Sequence, residues 1–403
     1  MKPRILIVGG GANQLALVRN AKSRGCEVIV TDVNKFPPCR PEADGFFQVD
    51  TTDRAGTLRV AQFSQLTAVT TDQSDVAVPT VAYVAETLAL PGIGFETALR
   101  FTNKHLMRMT IKKMRPDLVP ESILFEQEAE LLKFLDSAPR MMDEWIVKPL
   151  NSQGSKGVAR LTHQTFRNLI SVAYRESRGH GVVLEEFVHG EEFSVESFVV
   201  DGHVHNLAVT RKFHYPQNDC IDNRNVYLGD IPLDIETALY EANRAVIGLL
   251  GLQTGSTHGE FKVKDGRVKL MEIAARGGGG NISGKIIPFL TGFSPTDAVL
   301  DFSLGLQPTI NASSYREKFA ILRFFDFPPG RVKRIQIDDC ATDMLLHFEL
   351  NLKQSDRIHA VRSSRDRAGY FIIGGDNRES VLAMESKMLK SVKVEVAEED
   401  PSK

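Results

Sequence analysis

The apolar positions of this chain change their period along its length. Ile5–Val8 and Val28–Val30 are short apolar runs, the pattern of parallel strands buried on both faces. Between them Leu15, Leu17, Val18 and Ala21 roughly trace one face of a helix. A glycine turn, Gly9–Gly11, joins the first run to that helix. The reading is strand, tight turn, helix, strand, which opens a doubly wound α/β unit. "LTAVTTDQSDVAVPTVAYVAETLAL" continues it with a further strand and helix.

Beyond Asn103 alternation takes over. "EWIVKPL" puts Ile146 and Lys148 on one face, Trp145 and Val147 on the other, and Pro149 closes the strand. Asp201-Gly202 and Asp265-Gly266 mark the tips of two hairpins. From about Pro308 the chain is β-rich again, with "FAILRFFDFPPGRVKRI" and "YFIIGGD". The expected organisation is a Rossmann-like N-terminal domain over 1–98, a central domain over 99–307 and a small β-containing C-terminal domain over 308–403. The tail "AEEDPSK" is expected to be disordered.

Composition narrows the class. At 403 residues the chain is long for one core. A net charge of −2 gives no basic footprint, so nucleic acid is not an expected partner. Cys26, Cys39, Cys220 and Cys340 form no CxxC pair, which argues against a zinc site or a disulfide framework and fits a reducing cytoplasm. No apolar run reaches membrane-spanning length, and the apolar core of "MKPRILIVGGG" is short for a signal peptide.

The first glycine turn suggests a dinucleotide site, with Asp32 placed to meet a ribose. The fingerprint G-x-G-x-x-G is broken, however. Gly9 and Gly11 fit, but Gln14 stands where the third glycine belongs. A structural turn is the better reading, and a NAD-dependent oxidoreductase is the disfavoured alternative.

The chemistry-bearing stretches come later. They are Lys148 at a strand end, the loop "NSQGSKGV", the run "VLEEFVHGEEF", and the pair "THGEF" and "MEIAARGGGG". Singly, each has an ordinary reading: an edge charge, a loop, a surface pair, a linker. Their order is what carries weight.

That order resembles the ATP-grasp superfamily of carboxylate–amine and carboxylate–thiol ligases, from about Leu99 to Leu306. Within it, the chain is most similar to the L-amino-acid ligases, or dipeptide synthetases, with some likeness to the purine-pathway carboxylases. The resemblance implies an α/β fold with an N-terminal Rossmann-like domain, a central ATP-grasp domain with a small lid-like part at about 115–187, and a β-containing C-terminal domain. It implies that Lys104 and Lys148 hold ATP phosphates and that Ser152, Gly154, Ser155 and Gly157 belong to the loop covering them. Glu185, Glu186, Phe187 and Val188 would meet adenine, and Glu192 the ribose, with Lys212 completing the nucleotide set. Glu260 and Glu272 would bind magnesium or manganese, and Arg276 would face the transferring phosphoryl group. His258, Arg276 and Gly278, Gly279 and Gly280 would meet the substrate. Most members carry Asn or Asp two residues after the second glutamate. Here Ala274 stands there, with Asn281 or water as replacement ligands.

These residue types suit the task. Lysine supplies a point charge to phosphate, a glycine turn presents backbone N–H groups, and magnesium takes one or two carboxylates with phosphate oxygens. The expected activity is an ATP-dependent ligase that makes an acyl phosphate and passes it to an amine, releasing ADP and phosphate. The alternative is an ATP-grasp carboxylase using bicarbonate in small-molecule or purine metabolism. Small-molecule carboxylate and amine substrates are the expected partners, with a homodimer allowed and no membrane.

Geometry adds a further expectation. Glu260 and Glu272 lie on the two arms of one hairpin and must share a face to hold the same ions. A two-residue turn would put Glu260 opposite Met271 and send Glu272 to the other face. A three-residue turn with Gly266 left-handed would put Glu260 opposite Leu270 and His258 opposite Glu272. The three-residue turn is therefore the expectation.

Overall fold

A computed structural model describes residues 2–137, 143–151, 154–339 and 342–397. Ser152 and the tail from residue 398 lie outside these. The chain forms two compact units. One comprises Met1–Pro120, Ser194–Ala208 and Leu233–Ser313; the other comprises Glu121–Phe193, Val209–Pro232 and Ser314–Lys403.

In the first unit β1 (Arg4–Val8), β2 (Glu27–Asp32), β3 (Gly45–Gln48) and β4 (Ala68–Thr70) make a parallel sheet in the order β3-β2-β1-β4. The unbroken apolar run of β1 is explained by its two covered faces. Ile5 and Ile7 pack on one side with Leu17, Val18 and Ala21 of the helix Leu15–Ser23. Leu6 and Val8 pack on the other with Val60 and Ala61 of Arg54–Phe63 and with Val84 and Ala85 of Val78–Thr87.

Gln14 now has a structural role. It is buried, and its Nε2 donates to the carbonyl of Asp72, 2.5 Å away in the loop after β4. Asp32 accepts from the backbone N–H groups of Gly10 at 2.7 Å and Asn34 at 2.8 Å. Both its oxygens are thus used locally, which supports the structural reading of this turn.

The first unit also holds the strands Gly255–Lys264 and Arg267–Ala274 as one hairpin. Its turn differs from the expectation. Lys264 pairs with Arg267, so the loop is the two-residue Asp265-Gly266, with φ of 50° and 74°. Both values are positive, as a type I′ turn requires. The ladder is regular to Phe261 opposite Leu270, and then it slips. Met271 has no opposite residue, and Glu260 faces Glu272 directly. His258 faces Ala274, and not Glu272 as the three-residue turn required. A β-bulge in mid-strand supplies the extra residue that the turn was expected to supply. The two carboxylates share a face after all.

In the second unit the strands Ser122–Phe125, Val182–Glu186, Trp145–Pro149 and Ala159–Arg160 form an antiparallel sheet in that order. Val147, Val182 and Leu184 pack from it onto the helices Glu128–Ser137 and Phe166–Ser177. The later strands Phe319–Phe324, Gly369–Gly375 and Leu345–Leu350 pair antiparallel. Ile321, Phe371 and Ile373 there pack against Val381 and Met388 of the helix Arg378–Ser391. Among the described residues no helix is long and apolar enough to cross a membrane.

Candidate active site

The first unit gathers a dense set of charges around the hairpin. Glu260 and Glu272 lie side by side on one face. Lys104, the first residue of the helix Lys104–Lys112, reaches Glu272 Oε1 with its ammonium at 2.8 Å. The Asn103 side chain caps that helix by accepting from the Leu106 N–H at 2.9 Å, which fixes where Lys104 starts. Lys104 is buried, whereas the Glu272 side chain keeps 41% of its exposure. A cation held in the wall beside an accessible carboxylate suits a polyanion with its metal.

His258 bridges two acids. Its Nδ1 contacts Glu196, and its Nε2 lies 3.3 Å from Glu260 Oε1. Burial opposes its charge, but Glu196 and then Glu260 outweigh burial, and the imidazole pKa is pushed up to about 9. An imidazolium there orients Glu260. Opposite it, the methyl of Ala274 takes little room.

Arg276 follows the Glu272 strand. Its guanidinium makes a two-pronged pair with Asp75, at 3.0 Å from Nε and 2.6 Å from Nη2, and a third bond to the carbonyl of Gly277 at 3.0 Å. Burial works against the cation, but Asp75, with Glu272 and Glu260 beyond it, holds its pKa above the ordinary value.

The four glycines divide by cause. An added Cβ on Gly277 would run into Ser283 and lie 2.8 Å from Asp72 Oδ1. On Gly278 it would lie 3.0 Å from Glu196 Oε2 and from Ile282. Gly280 has φ of 64°, a left-handed value. Gly279 meets nothing within 4 Å. The Gly277 N–H donates to Asp72 at 3.3 Å, and the Asn281 N–H to Gln73 Oε1 at 3.2 Å. Asp72 also accepts from Thr296 at 3.0 Å, and burial pushes its pKa up against these bonds. Gly277→Ala should therefore destabilise the protein by about 1–3 kcal/mol in urea unfolding, the ordinary range for overpacking. Gly279→Ala should change little. Equal effects would show that close approach is not what the first glycine serves.

The second unit carries the other assigned residues. Lys148 and Glu185 are both buried and pair at 2.6 Å between neighbouring strands. The N–H of Glu186 donates to the carbonyl of Glu121 at 2.9 Å, and that of Phe187 to the carbonyl of Glu144 at 2.7 Å. Val188 is the next residue along. Glu192 meets the ammonium of Lys212 at 3.1 Å and His214 Nε2 at 3.2 Å. Gly154, Ser155 and Gly157 have φ of 66°, 56° and 74°, and Ser155 Oγ donates to the carbonyl of Cys220 at 2.8 Å.

Comparison with known proteins adds the decisive observation. Residues 142–285 match the family model for the ATP-grasp domain. The chain carries an ATP-grasp domain. The matched span of the ATP-grasp domain includes Lys148, Glu185, Glu192, Glu260, Glu272 and Arg276, while Lys104 lies before it. Residues 323–397 match the L-amino acid ligase C-terminal domain 2. Among curated proteins, a phosphoribosylamine–glycine ligase of Methanoregula boonei is 28% identical over 207 residues. That match takes in 50% of this chain and 47% of the relative, so the chain spans about half the length of that protein. Among solved structures, an L-amino acid ligase from Bacillus licheniformis superposes with a TM-score of 0.80 at 18% identity, covering 98% of this chain and 99% of that one. A phosphoribosylglycinamide synthetase from Anaerococcus prevotii gives 0.76 at 19% identity, covering 98% and 100%. The fold is that of ATP-grasp proteins.

Four residues that meet the assigned ones were not legible as site residues: Asp72, Asp75, Glu196 and His214. A signal existed for two of them. "TDQSD" follows β4, and in doubly wound sheets functional groups collect beyond the carboxyl ends of the strands.

Proposed function

We propose that this protein is an ADP-forming ligase that joins an amino acid carboxylate to an amine. The observation that carries the reading is the Glu260–Glu272 pair on one face, with Lys104 and Arg276 attached to the same hairpin. ATP is the phosphoryl donor, and the substrate carboxylate attacks its γ-phosphorus. ADP leaves, and the mixed anhydride that forms is opened at its carbonyl carbon by the amine, which releases phosphate.

Each residue has a share in this. Glu260 and Glu272 would hold magnesium, which offsets phosphate charge when bound. Lys104 turns from Glu272 towards phosphate, and Lys148 is a second phosphate-binding lysine. Arg276 stands where charge develops on the transferred group. Adenine is read at Glu185–Val188; since Glu186 and Phe187 have committed their N–H groups, Val188 supplies the donor. Glu192 takes the ribose hydroxyls, with Lys212 and His214 setting its orientation. Gly154, Ser155 and Gly157 belong to the loop that binds phosphate. Gly278, Gly279 and Gly280 with His258 border the substrate carboxylate.

An amino acid is the chemistry shared by the names of the two kinds of relative, an L-amino acid in one and glycine in the other. Release of ADP and phosphate with a panel of amino-acid pairs, against bicarbonate, tests the proposal. Release that requires an amino acid and yields an amide supports it. Release with bicarbonate alone would replace it with a carboxylase.

A further inference from the structure

The bulge at Met271 has a contact from outside its own hairpin. From the two-residue turn a regular ladder would run on to put Glu260 opposite Met271, with Glu272 on the other face. A side chain from the helix Lys104–Lys112 meets the slipped residue. Arg108 donates from Nη2 to the carbonyl oxygen of Met271 at 2.5 Å. It is 1% exposed and among the largest fully buried side chains of the protein. Lys104 and Arg108 are four residues apart and so lie on one helix face. That face sends two cations to consecutive residues of one strand: Lys104 to the Glu272 carboxylate and Arg108 to the Met271 carbonyl.

We propose that Arg108 is the positioning residue of the metal site, holding Met271 out of register so that Glu272 faces Glu260. The proposal rests on the reading that these two glutamates bind magnesium. A bulged residue leaves backbone groups without ladder partners, and a buried carbonyl without a partner is costly. The guanidinium satisfies that carbonyl from the helix side. It thereby favours the slipped register over the regular one. Through that bond Arg108 acts on the backbone of the Glu272 strand.

Deleting Met271 makes the test specific. Without that residue, a regular ladder from the same turn puts Glu272 directly opposite Glu260, and no bulge needs holding. The full-length protein is titrated with Mn2+ in the presence of a non-hydrolysable ATP analogue, and free Mn2+ is read by electron paramagnetic resonance. Arg108→Met in the parent should weaken Mn2+ binding by about 10–100-fold, the usual cost of losing a group that orients a metal ligand. In the Met271-deleted protein the same substitution should cost less than about twofold, because the two changes act on one element. Equal losses in both backgrounds, or none in either, would overturn the proposal. Arg108→Lys serves in place of Arg108→Met if the latter does not fold, with the same outcomes. Amide hydrogen exchange over the Glu272 strand gives an independent readout: Arg108→Met should speed it in the parent only. If Glu260→Gln and Glu272→Gln leave Mn2+ affinity unchanged, the metal reading fails. Exchange then decides the role of Arg108 alone, and unchanged protection in the parent would overturn it.

Discussion

Arg276→Ala is expected to lower kcat by roughly two to four orders of magnitude while ATP binding stays close to intact. The reason is placement. The guanidinium is held by Asp75 through two parallel bonds and by the carbonyl of Gly277, so its position is set before any substrate arrives. A preset cation stabilises charge that develops during transfer without reorganising at that moment. The substitution also leaves Asp75 without its guanidinium, so Arg276→Ala combined with Asp75→Asn is the control for folding. Asp75→Asn alone keeps one prong and should reduce kcat by a smaller factor, with little change in KM for ATP. If Arg276→Ala abolishes ATP binding in a folded protein, Arg276 is a ground-state contact and this account of it fails.

The second large effect is expected at the carboxylate pair. Glu260→Gln with Glu272→Gln should lower kcat/KM by about three orders of magnitude, since a bound metal supplies several kcal/mol of charge stabilisation. Glutamine keeps the shape and one acceptor oxygen of each side chain but removes the charge. Each single variant should shift the Mg2+ dependence of the rate to higher concentration. Glu272→Gln has a second consequence, because it releases Lys104 from a charged partner 2.8 Å away. The rate of that variant should therefore fall more than Mg2+ affinity alone predicts. Full activity of the double variant at ordinary Mg2+ would remove the metal from this hairpin.

Much of this was legible before coordinates. The apolar runs of β1 and β2 were readable because both faces of each strand are covered. The hairpin that carries Glu260 and Glu272 was readable from its Asp-Gly tip, and the common face of its carboxylates from the chemistry they must do. The route to that common face was not readable. The register depends on Arg108, which lies 163 residues from Met271 in sequence, and local turn rules contain no term for it. The same holds for the partners of the assigned residues. Asp75 is 201 residues from Arg276, and Asp72 is 205 from Gly277. Glu196 is 62 residues from His258. Each is an ordinary acid until the fold brings it in. Periodicity reports which faces are buried, whereas buried charge pairs report which distant segments meet.

The central claim is that a carboxylate oxygen attacks the γ-phosphorus of ATP, and oxygen labelling follows that atom directly. The amino acid that gives turnover is supplied with 18O in its carboxylate, and the phosphate and nucleotide products are analysed by mass spectrometry. The account predicts one labelled oxygen in each phosphate released and none in ADP. Label appearing in AMP, or unlabelled phosphate alongside a formed amide, would contradict it.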